Sequence, residues 1–220
     1  AQLHAKPPDP KKQAIPITTS DASRDFQMDI LDFQSVKNKG NRGFAWVFII
    51  EDIFNRKGYM QAMKTKSPNA VLPALKEAFE KLGTPMRITA DDGSEWKGSV
   101  GEYLESQHVV LDAQAHLHSR MGIIDSFARY IKNSIGKHFT ATQSTNWIDY
   151  VDTLLDGYHR TPHSGLPTGM TPDEATDPVN ATQVRDKTYE KIVAAAEGKK
   201  ESKFKIGSRV RILKRKMTFD

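Results

Sequence analysis

The chain has no cysteine, so neither a disulfide framework nor a thiolate zinc site is open to it, which suits a reducing compartment. It also lacks a long hydrophobic run. The longest, Ala45 to Ile50 (AWVFII), is far too short to cross a bilayer, and no basic-then-apolar signal segment opens the sequence. No membrane partner is expected. An initial Met is missing too, as in a processed or trimmed product, and there is no internal repeat. What is present suffices for a folded body: 220 residues, 38% of them hydrophobic, make one domain of ordinary size with an appendage.

Charge is unevenly spread. Lys199 to Lys216 holds nine lysines and arginines against the single acid Glu201, a net +8, which leaves −3 on the remainder of a chain whose total is +5. A mildly acidic body with a strongly basic tail suits a polyanion binder with a carboxylate-rich site; a merely soluble basic end is the other reading.

Residues 1 to 24 carry four prolines and small polar residues without periodicity and read as a linker, following a domain that once preceded it. Alternation at Phe26, Met28 and Ile30 predicts a strand. The turn chemistry of residues 38 to 43 then leads into a second, largely buried strand, FAWVFIIEDI, and Tyr59 to Met63 forms a third, completing a meander. A helix is expected from Pro68 to Gly83, with Pro73 at its first turn or at an irregularity. Met86 to Thr89 reads as a strand, Val100 to Ser106 as a short helix, 108 to 113 as a strand, and Trp147 to His159 and Thr182 to Ala196 as helices. KFKIGSRVRILKRK at the end alternates basic and apolar residues, like a small β unit. An initial meander followed by alternating strands and helices indicates a mixed α/β sheet.

The stretch from Gly122 to Phe139 is amphipathic. At helical spacing Ile124, Phe127, Ala128, Ile131 and Ile135 share one face, and Asp125, Arg129 and Lys132 form a stripe beside it. Alone, Asp125 reads as an ordinary first-turn carboxylate favoured by the helix dipole. Two more acids sit where the backbone holds them firmly: Asp29 inside the first strand, and Asp91 at a strand end, where ligand sites of α/β sheets lie. A carboxylate among Phe26, Met28, Ile30 and Phe33 must face solvent or meet a cation. If the three converge, no local Lys or Arg is an obvious counter-ion. One or two divalent cations with oxygen preference would satisfy them, and such a site performs phosphoryl transfer.

FQMDILDF, ITADDGSEWKG and MGIIDSFARYIKN, in that order, resemble the three motif blocks of retroviral-type integrases, members of the DDE transposase superfamily. The similarity runs from about Phe26 to Ala175 and takes in YHRTPHSGLPTGMTPDEA. It implies an RNase H-like mixed five-stranded sheet flanked by helices over 25–178. A helical linker follows at 179–200, and then the start of a small basic β-barrel, SH3-like or chromo-like, at 201–220.

The resemblance makes Asp29, Asp91 and Asp125 both the catalytic residues and the ligands of Mg²⁺ or Mn²⁺, two ions in all, with Asp92, Gly93 and Ser94 shaping the turn behind the second. It makes Arg129 and Lys132 contacts to the DNA end, and residues 116 to 122, with His118 and Arg120, the active-site loop. Lys203, Lys205, Arg209, Arg211 and Lys214 become DNA or chromatin contacts. It further implies double-stranded DNA as partner, both element ends and target, and assembly of several copies of the chain. The place of action would be the host nucleus, or a virion or viral factory.

The sequence departs from the family at the third acid, where Asp125 is one methylene shorter than the usual Glu, and at the 34-residue step from Asp91. Both features resemble integrases of Polinton/Maverick-type elements and virophages, or a weakened site. The family's zinc-binding His/Cys module cannot be here without cysteine. Three functions follow: an integrase that processes 3′ ends and transfers strands, an inactive or domesticated DNA- or chromatin-binding module, and a metal-dependent nuclease of the same fold. Asp32, Asp112, Glu95 and Glu102 are substitutes for a triad member outside the motif positions. His116 and His118 read as loop residues that touch DNA, His163 as fixing a turn, and Trp46 and Trp147 as core anchors.

Overall fold

The computed structural model describes residues 17–113 and 121–197. Its elements run β1 (Asp25–Asp32), β2 (Trp46–Asp52), β3 (Gly58–Met63), α1 (Pro68–Leu82), β4 (Arg87–Ala90), α2 (Ser99–Ser106), β5 (Val110–Ala113), α3 (Gly122–Thr142), α4 (Val151–His159), α5 (Pro172–Ala175) and α6 (Ala181–Glu197). The strands form one mixed sheet in the order β3-β2-β1-β4-β5. β1, β2 and β3 make the antiparallel meander that the turn residues predict, and β4 and β5 add in parallel on the far side of β1.

Alternation along the strands divides the apolar residues between two cores. Phe26, Met28 and Ile30 of β1 and Phe48 and Ile50 of β2 pack with Val71, Leu75 and Phe79 of α1. Leu31, Val47 and Ile49 point the opposite way, onto Ile124, Phe127 and Ile131 of α3 and Leu154 of α4. A strand covered on both faces needs apolar residues throughout, which is why AWVFII is continuous rather than alternating. The turn between β1 and β2 is pinned by the fully buried Asn41. Its amide donates to the Val36 and Thr145 carbonyls, 2.8 Å each, and its oxygen accepts from the Trp147 N–H, also at 2.8 Å.

Several details differ from the sequence expectation. Pro73 lies inside α1, where its missing N–H costs one helical bond. The helix expected from Trp147 begins as a 3-10 turn, Ile148–Tyr150, and becomes α-helical only at Val151. α5 was not foreseen, although Thr171 and Glu174 form a reciprocal capping box that the sequence displays. Part of the stretch read as linker is tied down: the Thr19 hydroxyl donates to Asp25 (2.6 Å) and the Ser23 N–H to Asp52 (2.8 Å). α6 is the helix expected at 182 to 196, and its Val184 packs with Phe54, Leu166 and Met170. The β unit expected at 201–220 lies outside the described residues. Among those residues no helix is long and apolar enough to cross a membrane.

Candidate active site

Asp29 follows from the pleat of β1. With Phe26, Met28 and Ile30 committed to the α1 core, positions 27, 29 and 31 face α3. Asp29 is half-buried there, and its Oδ1 accepts the Ile30 N–H at 2.7 Å. β4 runs parallel to β1 with Gln27 opposite Thr89, so continuing that register by two residues brings Asp91 level with Asp29. Asp91 is exposed, and the buried Trp96 indole donates to its Oδ1 at 2.8 Å. Trp96 is itself held in the core against Phe48, with ring centroids 6.5 Å apart.

Asp125 is carried by α3, whose apolar stripe is buried as the periodicity predicts, while Asp125, Arg129 and Lys132 are exposed. Two contacts fix the start of this helix to the sheet. Met121 provides no side-chain cap; instead the Gln27 Oε1 of β1 accepts the Ile124 N–H at 3.0 Å in a buried position. One turn on, Phe127 lies against Gly58 of β3 so closely that a Cβ there would stand 2.7 Å from the ring.

Electrostatics join the three acids. Burial raises the Asp29 pKa, the Ile30 N–H opposes, the charges of Asp91 and Asp125 raise it further, and Lys132 opposes. The charges of carboxylates at the end of β4 and on α3, from separate stretches of chain, therefore both reach Asp29 on β1. Among the described residues none of the three makes an ion pair, and no three His, Asp or Glu side chains close into a group that could hold a metal ion. The donor set nonetheless suits Mg²⁺ or Mn²⁺: all hard oxygens, with Asp91 and Asp125 both repelling the charge of Asp29. Of the basic residues expected at DNA, Arg129 and Lys132 line the exposed side of α3. His118, Arg120, Lys203, Lys205, Arg209, Arg211 and Lys214 lie outside the described residues.

Of the substitute acids, Asp112 lies on β5 opposite Thr89 of β4, and the other three are placed elsewhere. Asp32 accepts the Gln34 N–H at 2.8 Å, Glu95 is buried against Lys66 at 2.6 Å, and Glu102 stands on the exposed side of α2. His163 fixes a turn, as expected: its Nδ1 accepts the Gly165 N–H at 2.9 Å. Trp147 is a fully buried anchor, its ring centroid 5.0 Å from that of Phe33 with the planes tilted by 31°. Gln27, Lys66 and Trp96 are site-building residues that sequence reasoning missed, and Glu95 was weighed only as a substitute acid. Gln27, Glu95 and Trp96 lie inside the quoted motif blocks, whereas Lys66 lies in none.

A second group of buried charges gathers where β2 ends. The Glu51 carboxyl, 1% exposed, accepts the Tyr158 hydroxyl at 2.8 Å, and burial pushes its pKa up to about 8 against the opposing pull of Arg56 and Tyr158. Asp52 is likewise raised by burial, to about 6. His159, its Nε2 2.9 Å from the Gly58 carbonyl oxygen, is pushed down to about 4 by burial and Lys57.

Solved structures similar to this chain include integrases. The catalytic core domain of the HTLV-2 integrase in complex with magnesium, in its trimeric form, superposes with a TM-score of 0.57 at 17% identity, over 70% of this chain and 96% of that one. The simian T-cell lymphotropic virus intasome in complex with the PP2A regulatory subunit B56 gamma gives a TM-score of 0.62 at 14% identity, over 73% of this chain and 56% of that one. The fold is that of a retroviral integrase catalytic core. An uncharacterized transposon-derived protein of Caenorhabditis elegans is 23% identical over 186 residues, 83% of this integrase-fold chain and 59% of the relative. KRAB-A domain-containing protein 2 of Homo sapiens is 26% identical over 151 residues, 66% of this chain and 30% of the relative. The chain thus spans well under two thirds of either relative. No family model matches it.

Proposed function

We propose that this chain carries the catalytic core of a DNA integrase of a mobile or viral element. The observation that supports this most is that the charges of Asp91 and Asp125 reach the half-buried Asp29 on an integrase fold, since three carboxylates from separate elements, none of them in an ion pair among the described residues, serve no evident packing purpose. In this reading the three acids hold one or two Mg²⁺ or Mn²⁺ ions, which when bound supply activation of an attacking oxygen and stabilisation of a leaving one at phosphorus. The chain's own contribution is placement. β1 and β4 set two carboxylates side by side, Gln27 and Gly58 fix the third, and Arg129 and Lys132 lie along α3 where a DNA backbone would pass.

The substrates are element ends, hydrolysed near the 3′ terminus, and target DNA, attacked by the freed 3′-hydroxyl. Several copies of the chain assemble on the two ends, in keeping with the dimeric and intasome forms of the similar integrases. His118, Arg120 and the basic residues Lys203, Lys205, Arg209, Arg211 and Lys214 add DNA or chromatin contacts, and the work takes place in the host nucleus, or in a virion or viral factory. The short third acid and the 34-residue step to it favour a Polinton/Maverick-type or virophage lineage.

The test is strand transfer with oligonucleotides bearing the element's ends, titrated with Mg²⁺ and Mn²⁺. Asp29→Asn, Asp91→Asn and Asp125→Asn are each expected to abolish joining while DNA binding persists; full activity of one variant removes that residue from the site. A second reading rests on Asp125 being shorter than the usual Glu: an inactive binding module, which yields no product with any divalent ion. A nuclease of the same fold would cleave without joining.

A further inference from the structure

Lys66, in the segment joining β3 to α1, is a cation within the field of Asp91 and Asp29 that no motif assigns. Its ammonium stands 2.6 Å from the Glu95 Oε1 and 5.8 Å from the centroid of the Trp46 ring. The Glu95 side chain is only 4% exposed and has Lys66 as its ion-pair partner, whereas the Lys66 side chain is 34% exposed at the rim.

Glu95 in turn supports the backbone that carries Asp91. It lies in the 3-10 turn Ser94–Trp96, and its carboxylate rests against Gly93: a Cβ at 93 would stand 2.4 Å from the Glu95 Cδ and 2.5 Å from each oxygen. A flexible surface glutamate could swing aside, but this one is buried and ion-paired. The next residue, Trp96, donates its indole N–H to Asp91. Lys66, Glu95, the Gly93 backbone and Trp96 thus form a continuous path ending on the second acid.

We propose that Lys66 and Glu95 form a clamp on the Asp91 turn, with Lys66 a positioning residue of the cation site. The clamp fastens the turn to the β3–α1 segment, so Asp91 is aimed before any cation or DNA arrives. It also engages Glu95, a carboxylate four residues beyond Asp91 that would otherwise be a substitute acid. Burial lowers the Lys66 pKa, but Glu95, then Asp91 and Asp29, outweigh it and the net shift is upward, so the ammonium keeps its charge. The inference rests on the reading of Asp91 as a metal ligand.

Mn²⁺ binding to the 220-residue chain, followed by the electron paramagnetic resonance of free Mn²⁺, tests it without recourse to activity. The double variant Lys66→Met/Glu95→Gln removes the clamp without stranding a buried charge. It is expected to weaken Mn²⁺ binding about tenfold, the loss typical when residues that orient a ligand are removed, while Lys66→Arg stays within about twofold of the parent. Melting temperature is recorded beside affinity, because a purely structural pair would move only the former. Wild-type Mn²⁺ affinity in the double variant, with binding lost in Asp91→Asn, overturns the clamp alone. Unchanged binding in Asp91→Asn overturns the metal reading, and the clamp with it.

Discussion

Glu51→Gln isolates the buried carboxyl at the end of β2. The folded chain holds Glu51 at a pKa of about 8, against 4.5 for the ordinary group, because burial outweighs the attraction of Arg56 and the Tyr158 hydrogen bond. A carboxyl raised in the folded state leaves stability intact below the unfolded pKa and subtracts from it as pH climbs through the folded one. At about pH 5 the penalty is under ~1 kcal/mol, and at about pH 8 it reaches ~4 kcal/mol, since each unit is worth about 1.4 kcal/mol. Glutamine imitates the protonated acid, keeping an oxygen for Tyr158, so variant and parent should match closely at the acid end. Across the interval the variant should gain about 3 kcal/mol relative to the parent. Urea unfolding followed by circular dichroism, at several pH values between those limits, measures the difference directly. Parallel stability curves for the two proteins would refute the reasoning, because they would mean that Glu51 keeps an ordinary pKa in the fold.

Two other perturbations follow from the same geometry. His159 has the opposite sign: held down at about 4 by burial and Lys57, it subtracts stability as pH falls from 6.5 towards 4. His159→Gln, which keeps a donor for the Gly58 carbonyl, should spare the chain ~2 kcal/mol of loss between about pH 7 and about pH 5 in the same urea series. Gly58→Ala should cost ~1–3 kcal/mol through overpacking against Phe127, seen as a lower melting temperature, and an unchanged melt would show that the ring has room to retreat.

Much of this architecture was readable where the signal is local. The period of α3 separated its buried stripe from Asp125, Arg129 and Lys132, and the continuous apolar run of β2 announced a strand covered on both sides. Pairings between distant stretches were not readable. Nothing near Gln27 marks it as the acceptor for Ile124, 97 residues on, and nothing near Lys66 points to Glu95. Glu51 beside Tyr158 is hidden for the same reason, since a buried acid and its partner 107 residues later follow no period. The three acids were found because they sit in motif blocks. Their convergence depends on the parallel register of β1 and β4 and on the docking of α3, which only the fold supplies.

The Gln27 contact also bears on how such a chain can change over generations. The start of α3 is fastened to β1, the strand that bears Asp29, so the distance between the first and third acids is set across the sheet and not along the chain. Residues may then be gained or lost between positions 113 and 121 with little displacement of Asp125. The 34-residue step from Asp91 then counts as a record of descent more than a mechanical requirement, because a longer or shorter step would leave Asp125 in the same place relative to Asp29.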